Sequence, residues 1–135
     1  MHIPDGYLGP ATCGVFYAAM APIWMAASRT LKRTLKARQV PLLGIGAAFS
    51  FVIMMFNVPI PGGSTGHAVG AVLVAILLGP WAAGVAVSLA LIVQALLFAD
   101  GGLTALGTNV TLMGIVGVWV AWGIFRLGRL LLPKR

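Results

Sequence analysis

The chain has 135 residues, of which 60% are hydrophobic and only 8% charged, and it carries a formal net charge of +7. A water-facing globular domain carries roughly 25% charged residues, so these proportions exclude an ordinary soluble domain and make the bilayer the expected solvent. The nine basic residues fall in two short blocks, Arg29, Lys32, Arg33, Lys36, Arg38 and Arg126, Arg129, Lys134, Arg135, with only Asp100 charged between them; a nucleic-acid binder spreads such charge along one face, so that class is excluded too.

Residues 11–28 form the first apolar run long enough to cross a membrane as a helix. No basic residue precedes this run and a basic block follows it, which is the reverse of a cleavable signal peptide. The N-terminus is therefore expected to be retained. Cys13 lies in the run as a lone thiol, without a disulfide partner or zinc spacing, and reads as a small buried hydrophobe. Residues 40–58 predict a second span, closed by Pro59, Pro61, Gly62 and Gly63. Residues 67–78 are apolar, but 12 residues at about 1.5 Å each cover only about 18 Å of a hydrocarbon core about 30 Å thick. This piece must be sheltered by the other helices or extended by its Gly-rich entry. Gly79-Pro80 separates it from a span at 81–99, which Asp100-Gly101-Gly102 closes. Gln94, inside that span, is expected to hydrogen-bond a neighbouring helix. Residues 110–125 predict the last, slightly shorter span. The expectation is an all-α polytopic membrane protein of about five transmembrane helices, forming one domain over residues 1–135.

Orientation follows from basic loops remaining in the cytoplasm. With residues 29–38 inside, the N-terminus is outside, loops 59–66 and 100–109 are outside, and the basic tail 126–135 is again inside. Both basic blocks then agree, and the protein is placed in the cytoplasmic (inner) membrane. Both acidic residues, Asp5 and Asp100, and both histidines, His2 and His67, fall at the outer face.

The opening Met1-His2-Ile3-Pro4-Asp5-Gly6-Tyr7-Leu8 concentrates donors. The Met1 amine and a deprotonated His2 amide nitrogen close a five-membered ring on a metal. That amide and the His2 imidazole close a six-membered ring. Three nitrogens are thus held in a near-planar fan, and a fourth would complete a square plane, a geometry that favours Ni(II) or Cu(II). The only other histidine is His67, which is expected to open the short third helix after Pro61-Gly62-Gly63-Ser64-Thr65-Gly66. Taken singly, each histidine reads more simply as a solvated or helix-capping residue; their placement at one membrane face makes them candidate ligands. Asp5 and Asp100 are candidate acceptors for imidazole N–H groups, although a turn with Gly101-Gly102 is the simpler role for Asp100. Ser64, Thr65 and Asn109 either orient His67 or the N-terminal segment, or cap the third and fifth helices.

The opening segment resembles the substrate-binding component of cobalt/nickel energy-coupling-factor transporters, the CbiM/NikM family. So do Pro61-Gly62-Gly63-Ser64-Thr65-Gly66-His67, Leu77-Leu78-Gly79-Pro80-Trp81, and the run from Gln94 through Ala99-Asp100-Gly101-Gly102 to Gly107. The resemblance covers the chain from its first residue to about Gly117. It implies an N-terminal segment folded back into the membrane domain. It also implies Ni(II) or Co(II) as transported substrate, held by the Met1 amine, the His2 amide and imidazole, and the His67 imidazole. The implied partners are a transmembrane coupling component, two cytoplasmic ABC ATPases and, optionally, a small accessory membrane subunit. Family members are usually longer, with further helices after the point where this sequence stops. A shortened structural or assembly subunit that binds no metal is therefore the alternative. No enzymatic activity is expected: there is no Gly-x-x-x-x-Gly-Lys phosphate loop and no His-Glu-x-x-His pair.

Overall fold

The computed structural model describes residues 2–131. Helix α1, Pro10–Thr34, starts with Pro at its first position, where the missing N–H costs nothing. A 3-10 turn at Ala37–Gln39 leads into α2, Val40–Met54. A two-stranded antiparallel hairpin follows, β1 (Val58–Ile60) and β2 (Ser64–Gly66), in which Val58 pairs with Gly66 and Ile60 with Ser64. Helix α3, Ala71–Leu78, is short. Helix α4 is Pro80–Leu97. Helix α5 runs Leu106–Leu131 and contains a π-helical stretch, Val110–Val116. The structure is thus all-α apart from the hairpin, and four of its helical segments are long and apolar enough to span a membrane.

The boundaries depart from the apolar runs for identifiable reasons. α1 continues through Arg29, Lys32 and Arg33, and α5 through Arg126 and Arg129. Long basic side chains are good helix formers and reach out to water from a helix end, so charge marks the depth of the membrane here and not the end of the helix. α2 stops at Met54 rather than at residue 58, and Val58, which looked like its last residue, opens strand β1. α3 begins at Ala71, so His67 lies in the non-helical link between β2 and α3 instead of opening the helix. Gly70, in the left-handed region at φ 74°, turns that link into α3. The eight residues of α3 cover only about 12 Å, and the link supplies the rest of the descent. α3 is sheltered on one face only: Ala71, Val74 and Ala75 are buried, whereas Val72, Leu73, Ile76 and Leu77 are exposed.

α4 is the central helix. Ten of its residues are buried, among them Ala82, Ala83, Gly84, Ala86, Ser88 and Ala90, and it packs against α1, α2, α3 and α5. Lipid tails are as apolar as leucine, so burial of apolar surface does little to join helices in a membrane; close packing of small residues does. The buried face of α2 is Gly46, Ser50 and Met54, spaced by one turn each, and Gly46 lies against Val74 of α3. The closest approach lies between α4 and α5, where a Cβ added to Gly84 would stand 2.8 Å from the Gly114 carbonyl oxygen. Gly114 sits within the π-helical stretch, whose altered turn is supported by Thr111 Oγ1 donating to the Gly107 carbonyl at 2.7 Å. Outside this core, Val15, Met25, Ile45, Val52, Leu96, Ile124 and Leu127 are exposed, as a lipid-facing surface requires.

Gly84→Val forces α4 away from α5. Overpacking of this kind costs about 1–3 kcal/mol. Thermal unfolding in detergent is expected to show a melting temperature several degrees lower; an unchanged melting temperature would contradict this account of the helix contact.

Candidate metal centre

The N-terminal segment lies against the loop that joins α4 to α5, held by backbone-directed bonds. Ile3 is gripped three times. Its N–H donates to Asn109 Oδ1 at 2.9 Å, and its carbonyl accepts from Asn109 Nδ2 at 3.1 Å and from the Gly102 amide at 2.9 Å. Asp5 grips the loop in return. Its carboxylate accepts the amides of Leu103 at 3.2 Å and Thr104 at 2.8 Å, and the Thr104 hydroxyl at 2.5 Å. The Thr104 hydroxyl, followed by the Thr104 amide, holds the Asp5 carboxyl below its usual range. The lowered value means that this grip is present above the ordinary carboxylate range and is lost only as pH falls through the lower, folded-state value. Tyr17 on α1 adds a hydroxyl donated to the Leu103 carbonyl.

The loop comes this close because two of its residues have no side chain. A Cβ on Gly101, which sits at φ 97°, would stand 2.8 Å from His2 Cβ, and one on Gly102 would collide with the Asp5 amide nitrogen. The exit from α4 is also unusual. Ala99 lies in the left-handed region at φ 52°, a conformation that is uncommon for a residue with a Cβ. It turns the chain so that the Phe98 and Asp100 amides both donate to the Gln94 carbonyl, each at 3.1 Å.

This framework delivers His2 to Asp100. His2 Nδ1 is 3.2 Å from the Asp100 carbonyl oxygen and 3.2 Å from its carboxylate Oδ1. Both are acceptors only, so Nδ1 carries the proton and Nε2 the lone pair. Nε2 is buried and has no hydrogen-bond partner among the described residues. Burial is the largest influence on His2 and pulls its pKa below the usual histidine value, against the Asp100 carboxylate, which raises it. His2 therefore stays neutral, and able to donate a lone pair, to lower pH than a free histidine.

His67 arrives from the opposite side of the sequence. The hairpin, turned through Gly62 and Gly63 at φ 99° and 80°, ends one residue before it. Its ring centroid lies 5.3 Å from that of His2, with the planes at 62°. Its Nδ1 is 3.2 Å from the Ala68 carbonyl, which fixes Nε2 as its lone-pair nitrogen. Metal–nitrogen bonds are about 2 Å long, so one ion can reach a nitrogen of each ring. An imidazole oriented through its other nitrogen by a carbonyl or carboxylate is the usual support for a metal-binding histidine.

Other residues singled out in the sequence lie as follows. Thr65 sits in β2 opposite Pro59, and Ser64 opposite Ile60, with the Ser64 side chain outside the described residues. Asn109 lies within α5 and bonds Ile3; Asp5 bonds the 103–104 loop and not an imidazole. Met1 lies outside the described residues. Among the described residues no three His, Cys, Asp or Glu side chains converge to hold a metal. Sequence reasoning treated Gly101 and Gly102 as breakers only and missed Thr104; the adjacent glycines next to an acidic residue were the available signal.

The sequence model of a family described as “Cobalt uptake substrate-specific transmembrane region” matches residues 2–135. The chain belongs to this family, CbiM. The CbiM family is one of metal-transport membrane proteins and not of enzymes. Among relatives, a fused nickel transport protein NikMN of Rhodobacter capsulatus is 56% identical over 128 residues, covering 95% of this chain and 37% of that protein. A cobalt transport protein CbiM of Roseiflexus is 40% identical over 128 residues, covering 93% of this chain and 51% of that one. A solved structure of a truncated transition metal transporter superposes with a TM-score of 0.92 at 52% identity, over 99% of this chain and 63% of that chain. The chain thus spans between about a third and two thirds of the length of these CbiM relatives.

Asn109→Ala removes two bonds from Ile3. Net worth of about 0.5–1.5 kcal/mol for each predicts that amide hydrogen exchange across residues 2–5 accelerates roughly tenfold or more. Exchange that matches the parent would mean that the N-terminal segment is held by something other than Asn109.

Proposed function

We propose that this chain is the metal-capturing membrane component of an energy-coupling-factor importer for Ni(II) or Co(II). The observation that carries the reading is the meeting of His2 and His67, whose ring centroids lie 5.3 Å apart. The ligand set is the Met1 amine, the His2 amide nitrogen, the His2 imidazole and the His67 imidazole. The two backbone-proximal nitrogens supply what the side chains lack.

The six-membered chelate ring requires His2 Nδ1, the nitrogen that faces Asp100 at 3.2 Å. Capture therefore turns the His2 ring about Cβ–Cγ and exchanges the Asp100 contact for the metal. Nitrogen donors in a plane lean toward nickel, and cobalt is accommodated by the same imidazoles. The site faces outward, with the basic residues of α1 and α5 in the cytoplasm. A transmembrane coupling component, two cytoplasmic ABC ATPases and, optionally, a small accessory membrane subunit supply the energy and the passage inward.

Titration calorimetry of the purified protein with its native amino terminus tests the ligand set. His67→Ala, and separately acetylation of the Met1 amine, are each expected to weaken Ni(II) binding by at least tenfold, because each removes one donor. Parent-like affinity in either variant would remove that donor from the site. The same ligand set has a pH signature. Chelation needs a deprotonated amide, a free amine and neutral imidazoles, so affinity falls as pH drops, while the burial-lowered pKa of His2 keeps that ring neutral to lower pH than a free histidine. Binding that is indifferent to pH between 8 and about 5, a range bracketing the ordinary histidine value, would contradict it.

A further inference from the structure

The end of the bundle remote from the candidate metal centre carries a chain of touching rings that ends in two cations. Trp81, in the first turn of α4, meets Trp119 of α5 edge to face, with ring centroids 5.3 Å apart and planes at 82°. Trp119 meets Trp122 in the same way, at 5.8 Å and 78°. The Arg126 guanidinium lies over Trp122, 5.2 Å from the ring centre, and the Arg129 guanidinium over Phe125, 5.9 Å from its ring centre. Trp119, Trp122, Arg126 and Arg129 are spaced three, four and three residues apart. They therefore share one face of α5, with the two arginines about one turn apart.

Depth decides what these cations meet. α5 begins at Leu106, beside the candidate centre, and Arg126 follows twenty residues later. At about 1.5 Å per residue that is roughly 30 Å, the thickness of the hydrocarbon core. Both guanidiniums thus emerge at the headgroup level of the opposite membrane face. Trp122 lies one turn beneath Arg126 and Trp119 two, at the level where indoles collect. Arg126 and Arg129 are exposed, and among the described residues neither is paired with a carboxylate. The two acidic side chains of the sequence, Asp5 and Asp100, stand at the far end, against Thr104 and His2. Stacking on a ring occupies the flat face of a guanidinium and leaves its N–H edge free. Such an edge is the forked donor that fits a pair of phosphate oxygens.

We propose that Arg126 and Arg129 hold the phosphate of an anionic phospholipid, with Trp122 and Phe125 fixing the two guanidiniums in place. Two unpaired cations match a headgroup of net negative charge. A zwitterionic headgroup brings its own ammonium, which competes for the same phosphate. A lipid, and not a soluble phosphate, is the source, because Val120 and Ile124 just beneath are exposed to the acyl region. The ring chain joins this site to α4 through Trp81, so a bound lipid braces α4 against α5. The inference needs only the bundle in a membrane and is independent of the metal-capture reading.

Native mass spectrometry of the full chain, released from detergent after addition of phosphatidylglycerol or phosphatidylcholine, tests the site. The parent is expected to retain phosphatidylglycerol at concentrations roughly tenfold or more below those needed for phosphatidylcholine. Arg126→Gln combined with Arg129→Gln is expected to abolish that preference. Arg29→Gln combined with Arg33→Gln removes the same charge from α1 and is expected to preserve it. Equal retention of the two lipids by the parent overturns the proposal and leaves the guanidiniums to an acidic protein surface. A loss as large in the α1 variant as in the α5 variant also overturns it, since the attraction is then only to net charge. Displacement of phosphatidylglycerol by excess inorganic phosphate overturns the lipid as the source. The parent comparison stands even where the α5 variant does not fold, and it has a second readout in solution. Phosphatidylglycerol, but not phosphatidylcholine, is expected to raise the melting temperature of the parent in detergent; an equal response to both lipids contradicts the proposal.

Discussion

The pairing of Ile3 with Asn109 is the contact on which the candidate metal centre depends. A single side-chain amide answers both the N–H and the carbonyl of one backbone residue, and the Gly102 amide adds a third bond. Asp5 then closes the segment from its other end through Leu103 and Thr104. A short terminal segment gains little from apolar burial, and ordering its backbone costs about 1–2 kcal/mol per residue. Directed hydrogen bonds from a rigid helix and a glycine-bearing loop are what offset that cost and bring His2 to a fixed place.

The membrane bundle exists, in this view, to hold the three supports of that segment at one level. α4 does so by being thin. Its alanines, Gly84 and Ser88 let four other elements approach one axis, and its exit through the left-handed Ala99 presents Asp100. α5 begins with Asn109 almost at once and then passes through a π-helical stretch in which Gly114 meets Gly84. π-helical turns occur often at functional sites; here one follows directly after the residue that grips the terminus. The hairpin supplies the remaining histidine from a separate direction, which leaves the centre assembled from three distant parts of the chain.

Much of this was legible in the sequence. Apolar run length gave the long helices. The shortness of residues 67–78 gave a helix unable to span alone. What was not legible has physical causes. Basic residues at the ends of α1 and α5 are compatible with helix, so the helices outlast the apolar pattern. Val58 and Ile60 are as apolar as a helix end, and only pairing across Gly62-Gly63 makes them strands. The π-helical stretch leaves no periodic trace over seven residues. Around the candidate centre, His2 and His67 stood out because imidazoles are rare here, whereas Gly101 and Gly102 looked like punctuation. Their purpose, admitting the backbone of residues 2–5, is visible only once that segment is in place. Asp100 was read as a turn residue or an acceptor for an imidazole N–H, and it has both places: its amide closes the α4 exit and its carboxylate faces His2.

The central claim is that a docked terminus and one mid-chain imidazole jointly form a planar nitrogen site. X-ray absorption spectroscopy of the nickel-loaded protein, purified with its native amino terminus, tests it most directly. The account predicts four nitrogen donors in a square plane, with scattering from two imidazole rings. A six-coordinate, oxygen-rich nickel with one imidazole or none would contradict it.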